Sequence, residues 1–176
     1  MRLNLVTSSC LLAVACTFPI KNDRIDTAIE EEDFSDFGEV EVLDIDNCDV
    51  DQLLTFVEFR TGGEIVSSLS EGENGQVWAV TANQCKNAID FTTNSGCLYE
   101  SWSIEGGGFE PSGGTFICKP EPVPRTLRSG QAFQRLITPL NDLPPAVYTI
   151  TVNYSITNTS GVTVSESNGI GVGEVE

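Results

Sequence analysis

An eleven-residue segment near the carboxyl end of the chain, residues 147–157, alternates strictly between apolar and polar side chains. The apolar side consists of Tyr148, Ile150, Val152, Tyr154 and Ile156. A period of two is the pattern of a β-strand that buries one face. The turn residues 158–161 and the apolar residues after them predict an antiparallel hairpin.

Short apolar segments separated by turn residues recur through the rest of the chain. Their close spacing predicts about eight to ten strands and an all-β sandwich of two antiparallel sheets. The predicted strands are residues 40–45, 53–60, 64–69, 76–81, 88–92, 98–104, 115–118, 132–137, 147–157 and 161–172.

The first fifteen residues have the pattern of a secretory signal. Arg2 is their only charged residue, and residues 3–15 are uncharged and mostly apolar. A run of thirteen residues is shorter than the roughly 20 that a membrane-spanning helix needs. The Ala-Val-Ala sequence of residues 13–15 also satisfies the rule for signal cleavage. The alternative is a buried apolar strand at the start of a cytoplasmic protein.

The segment Ala13-Val14-Ala15-Cys16 resembles the lipobox of bacterial lipoproteins. The resemblance implies that Cys16 receives a lipid and becomes the first residue of the mature chain, with residues 1–15 removed. Thr17, rather than Asp, follows the cysteine. We therefore expect a chain anchored outside the cytoplasm, on the outer membrane if the host has two membranes. Ordinary secretion is the alternative.

Four cysteines remain within the predicted domain: Cys48, Cys85, Cys97 and Cys118. Their spacings of 37, 12 and 21 residues contain no Cys-x-x-Cys pair, which makes a zinc site improbable. An even number of cysteines in an exported chain predicts two disulfides, with three pairings open.

Acidic residues are concentrated before the predicted domain. Thirteen of the 26 carboxylates lie in residues 23–51, and the net charge is −17. We interpret residues 16–38 as an acidic, disordered tether and residues 39–176 as the folded domain. Such a charge repels nucleic acid, so we expect no nucleic-acid partner.

The chain contains no histidine. This removes the commonest general base and the Ser-His and Cys-His nucleophile pairs. No other nucleophile–base arrangement or cofactor motif is visible, so we expect a non-enzymatic protein without a cofactor.

An aspartate series, Asp44, Asp46, Asp49 and Asp51, is the one candidate for a metal site. Oxygen ligands at alternate positions suit Ca²⁺. However, Cys48 interrupts the series and no glycine supplies the bend of a calcium loop. We favour an acidic edge leading into the domain, and no metal.

A glycine-rich loop is the candidate binding site: Glu105, Gly106, Gly107, Gly108, Phe109 and Glu110. It has no Lys-Ser or Lys-Thr sequence after it, so it is not a phosphate loop. A loop presented by a rigid sandwich is a common place for a binding site, but we favour an ordinary hairpin connection.

Four segments resemble the immunoglobulin-like domain of the BsuPI type, which is named for an intracellular proteinase inhibitor. They are residues 94–100, 116–118, 127–133 and 143–149, within a region of about residues 75–155. The resemblance implies an immunoglobulin-like sandwich. It also implies a Cys97–Cys118 disulfide, and with it Cys48–Cys85.

These features lead to three hypotheses on function. The first is a non-enzymatic envelope lipoprotein whose domain binds an envelope or extracellular protein. The second, implied by the resemblance, is a protease inhibitor. The third is a structural envelope component without a discrete ligand. A sandwich fold by itself supports all three equally.

Overall fold

The computed structural model describes residues 37–108 and 112–173. The predicted signal segment, the lipidation residue Cys16 and most of the predicted tether lie outside the described residues. Within the described residues, no helix is both long and apolar enough to cross a membrane.

The described chain consists of twelve strands and one short 3-10 helix, Val50–Gln52. The strands are β1 (Phe37–Glu39), β2 (Leu54–Thr61), β3 (Glu64–Val66), β4 (Ser68–Leu69), β5 (Gly75–Ala82), β6 (Ile89–Thr93), β7 (Tyr99–Gly106), β8 (Ser112–Thr115), β9 (Val123–Leu127), β10 (Gln131–Leu140), β11 (Ala146–Thr157) and β12 (Thr163–Val172).

These strands form two sheets. The first sheet has the order β1-β10-β5-β2-β3 and is antiparallel throughout. The second sheet has the order β4-β12-β11-β6-β9, and β7 also pairs with β11 and carries β8 on its other side. The short β4 runs parallel to β12. The expected all-β sandwich is therefore confirmed.

The strand order is immunoglobulin-like. In chain order, β2, β5 and β10 lie together in one sheet and β7, β11 and β12 in the other, as strands A, B, E and C, F, G do in immunoglobulin domains. A second hallmark is a tyrosine corner. Tyr148, near the start of β11, donates its hydroxyl hydrogen to the Pro144 carbonyl at 2.9 Å.

The core lies between the two sheets, and β11 contributes most to it. Each of its five alternating apolar side chains is at most 1% exposed. The Tyr154 ring meets Tyr99 edge-on, with 5.2 Å between the ring centroids, and donates its hydroxyl hydrogen to the Phe56 carbonyl at 2.9 Å. Burial raises the pKa of both phenols well above the ordinary value of tyrosine. They are neutral structural groups.

Both expected disulfides are present. Cys48–Cys85 ties the segment before the 3-10 helix to the end of β5. Cys97–Cys118 joins the residues just before β7 to those just after β8, and so closes the base of that hairpin. Each disulfide, closing a loop of this length, stabilises the folded domain by about 3 kcal/mol.

Some predicted boundaries differ from the structure. Residues 40–45 form no strand, because the amides of Val40 and Leu43 bond to the carbonyls of Gly130 and Gln84 in neighbouring loops. The first strand begins at Phe37, two residues before the predicted domain boundary. The strand predicted at 115–118 lies at Ser112–Thr115, and β9 was not predicted.

Candidate binding face

The aspartates considered as calcium ligands have other partners in the structure. The carboxylates of Asp44 and Asp46 both face the Lys86 ammonium group. Asp49 caps the 3-10 helix, where its side chain accepts the amide hydrogen of Asp51 at 2.8 Å. Each carboxylate therefore serves a local structural bond.

Asp51 points in another direction, toward the turn between β11 and β12. Its carboxylate accepts hydrogen bonds from both the hydroxyl and the amide of Thr159. Both bonds hold the pKa of Asp51 below its ordinary value, and the bond from the hydroxyl has the larger effect. Among the described residues, no three acidic or cysteine side chains are grouped so that they could hold a metal. In the described part of the chain, the four aspartates are therefore not brought together at one site.

The glycine-rich loop is the turn of the β7–β8 hairpin. Glu105 and Gly106 are still part of β7, and Gly107 and Gly108 begin the turn. Phe109 and Glu110 lie outside the described residues. The four described residues of the predicted loop thus belong to a strand and to the turn that follows it.

Gly107 packs against the tyrosine corner. Its φ is +61°, and a Cβ atom added there would lie 2.7 Å from two carbons of the Tyr148 ring. Gly108 has a similar φ of +73°, but nothing lies within 4 Å of its Cβ position. Of these two turn glycines, Gly107 is therefore the one that packs against the core.

The most uniform surface in the described part of the molecule is the outer side of the second sheet. The registers of β8, β7, β11 and β12 place ten small, uncharged residues on this side. They are Ser101, Ser103, Gly113, Thr115, Thr149, Thr151, Asn153, Ser165, Ser167 and Gly169. We call this surface the serine–threonine face.

Hydrogen bonds across the strands hold the side chains of this face in place. Asn153 donates from Nδ2 to the Ser101 hydroxyl at 2.9 Å and accepts from the Ser165 hydroxyl at 2.9 Å. The hydroxyls of Thr151 and Ser167 bond to each other at 2.8 Å. Because the polar groups are already ordered, a partner that binds here loses less conformational entropy than it would on a flexible surface.

The ten residues that define the face are uncharged, although the chain has a net charge of −17. One exposed carboxylate, that of Glu105, lies on the same side of the sheet opposite Thr149 and borders the face at that end. Depletion of charged residues is what distinguishes the centre of a protein interface from the rest of a protein surface. The serine–threonine face has that character.

The face is small. Four strands spaced about 4.8 Å apart and about six residues long cover roughly 300 Å². A stable interface buries about 800 Å² on each partner. A protein partner would therefore need neighbouring surface as well, and the free edge of β8 borders the face directly.

The sequence pattern indicates three of these ten residues, those on β11, but not the face itself. The polar side of residues 147–157 was visible as an alternating pattern. One of its members leaves the face, because Ser155 is fully buried and its hydroxyl lies 3.0 Å from that of Ser95. The neighbouring strands that complete the face follow from the register, and no local pattern encodes the register.

The positive charges of the domain do not lie on the face. Arg125 is half-buried and donates from Nη2 to the Gly96 carbonyl at 2.7 Å. The Arg135 guanidinium lies over the Phe116 ring, 4.3 Å from its centroid. Burial lowers the pKa of both side chains. These cations act within the fold.

Comparison with known proteins gives fold-level likeness only. No protein-family model matches the chain, and no curated protein does. Among solved structures, the sporulation control protein Spo0M from Bacillus subtilis is 14% identical with a TM-score of 0.35, and the match covers 69% of this chain and 50% of Spo0M.

A second solved structure is the CARDB domain of the PF1109 protein from Pyrococcus furiosus, in complex with di-metal ions. It is 8% identical with a TM-score of 0.31, and the match covers 72% of this chain and 93% of that domain. Neither likeness carries information on function.

Proposed function

We propose that this chain is a non-enzymatic envelope lipoprotein, anchored through Cys16, whose sandwich binds another envelope or extracellular protein. The observation that carries the proposal is the serine–threonine face, whose ten residues are uncharged and whose side chains are ordered by their own hydrogen bonds. Such a surface complements another protein better than it complements an ion, a nucleic acid or a small apolar molecule.

The disulfides support the extracytoplasmic part of the proposal. Two disulfides persist in an oxidising compartment and are rare in the cytosol. The lipobox-like sequence at Cys16 adds the anchor. The protease-inhibitor hypothesis stays a prediction from family resemblance, and no contact in the described residues favours it.

A large side chain introduced on the face tests the proposal. Thr149 is exposed at one end of the face, and Thr149→Arg would bring a bulky cation into any contact made there. Thr92 is equally exposed, on β6, outside the face, so Thr92→Arg is the matched control. Each full chain is crosslinked in the native membrane and its partners are identified by mass spectrometry.

We expect the wild-type chain and Thr92→Arg to capture the same partner protein. We expect Thr149→Arg to bind it more than about tenfold more weakly, because the arginine side chain would hold the partner away from the face. A partner that all three chains capture equally would exclude the face as the binding site. No reproducible partner for the wild-type chain would favour the structural-component hypothesis.

A further inference from the structure

The two sheets have five edge strands in the described part of the molecule: β1, β3, β4, β8 and β9. Three of them, β1, β3 and β4, have only two or three residues. The longest, β9, contains Pro124, which interrupts the donors along an edge. Short length and proline are the usual means by which proteins protect edges from pairing.

The remaining edge strand, β8, is also short, with four residues, but it is protected neither by proline nor by charge. Its sequence is Ser-Gly-Gly-Thr, without proline or a charged side chain. Among the described residues, β8 pairs only with β7, so its other side is open. A Cβ atom at Gly113 would collide with the Trp102 carbonyl oxygen and one at Gly114 with the Trp102 ring, so the two glycines allow β8 to pack closely on β7.

The backbone of β8 is oriented for further pairing. Phe116 donates its amide hydrogen to the Glu100 carbonyl at 2.8 Å, which makes these two residues a hydrogen-bonded pair. Hydrogen-bonded and non-hydrogen-bonded pairs alternate in an antiparallel ladder. The amide and carbonyl of Thr115, one residue earlier, therefore point away from β7 toward the open side.

An apolar side chain lies at the end of this edge. Phe116 packs toward the core, and the next residue, Ile117, is 80% exposed. The Cys97–Cys118 disulfide fixes the chain immediately after it. An added strand would meet open backbone groups at Thr115 and an apolar contact at Ile117.

We infer that the free edge of β8 binds an extended segment of a partner protein, which adds a strand to the second sheet and extends the serine–threonine face. This inference rests on the proposed function and names the kind of partner. Main-chain hydrogen bonds would supply affinity and alternate side chains specificity. A second copy of this chain is disfavoured, because its own charge of −17 would be brought against an equal charge. The segment is uncharged or basic.

The test uses a library of displayed peptides of about ten residues, selected on the purified full chain. We expect it to enrich peptides that alternate β-branched residues with polar or basic ones. Thr115→Pro removes the outward amide, whereas Thr115→Ala keeps it and removes only the side chain. We expect about tenfold weaker peptide binding to Thr115→Pro and unchanged binding to Thr115→Ala.

Two further measurements keep the test independent of folding. Circular dichroism and thermal unfolding check that Thr115→Pro remains folded. Ile117→Lys should weaken peptide binding without altering the backbone, and Val162→Lys, at another exposed apolar residue, is its control. N-methylation of alternate peptide amides should abolish binding, because it removes the donors of the added strand.

Three results would overturn the inference. In the first, the library shows no enrichment on the wild-type chain. In the second, peptides bind equally to Thr115→Pro and Thr115→Ala, and in the third the chain forms a dimer that Thr115→Pro abolishes. If the membrane partner depends on Thr149 but tolerates Thr115→Pro, the strand addition fails while the proposed function stands. If no membrane partner exists, the proposed function fails as well.

Discussion

Tyr148 connects the fold to the candidate binding face. Its hydroxyl fixes the chain before β11 through Pro144, and its ring lies beneath the hairpin turn at Gly107. The next residue along β11, Thr149, belongs to the serine–threonine face. One buried side chain thus determines where the strand begins and where the β7–β8 hairpin lies against it.

The two turn glycines permit a matched test of this contact. Gly107→Ala and Gly108→Ala both place a side chain at positive φ, which costs roughly 1–2 kcal/mol. Only Gly107→Ala also forces a methyl group against the Tyr148 ring, which adds about 1–3 kcal/mol of overpacking. Urea unfolding should therefore show Gly107→Ala to be the less stable variant by at least about 1 kcal/mol. Equal losses would mean that the turn does not pack on Tyr148.

At the scale of single strands, sequence reasoning succeeded where one face is buried. The bounds of β11 differ by one residue from the prediction, because its alternation reflects real burial. Residues 40–45 alternate in part as well, but Val42, Leu43 and Ile45 are exposed and the backbone bonds to loops. A local pattern does not reveal whether a partner strand is present.

Strands of low intrinsic propensity were the ones misplaced. β8 contains two glycines and β9 contains a proline, residues that are rare in strands. Both strands exist because a neighbour, β7 or β6, supplies the hydrogen bonds. For the same reason the serine–threonine face could not be predicted, since it joins residues from four strands through their registers.

The disulfides allow the hairpin to be tested as a unit. Replacing both cysteines of either pair by serine should cost about 3–4 kcal/mol in the free energy of unfolding, because the closed loops of 21 and 37 residues have similar entropies. Loss of Cys97–Cys118 should also weaken partner binding, because it frees the hairpin that carries β8. Loss of Cys48–Cys85 should leave binding unchanged.

Chemical denaturation and crosslinking in the native membrane provide the two measurements for this comparison. If both double variants lose the partner to the same extent, binding depends on overall stability and not on the hairpin.

For the whole molecule, the direction of the chain agrees with the proposed anchor. The first described strand, β1, joins the edge of the first sheet through β10. The serine–threonine face lies on the outer side of the other sheet. A chain that reaches the domain from Cys16 therefore enters away from the face. The 20 residues between Cys16 and Phe37 span at most about 70 Å when extended, and this length sets how far from the membrane the face could reach a partner.

The anchor itself is tested by the intact mass of the chain purified from the native membrane fraction and alkylated without reduction. We expect a chain that begins at Cys16, carries acyl groups and has no alkylated thiol, because the remaining four cysteines are paired. Cys16→Ser should release the chain from the membrane, since a lipid chain contributes about 0.8 kcal/mol per buried methylene group. Cys10→Ser, within the segment expected to be removed, is the control and should leave the mature mass unchanged. A full-length chain with free thiols would place the protein in the cytoplasm, and protease inhibition would then be the function to test.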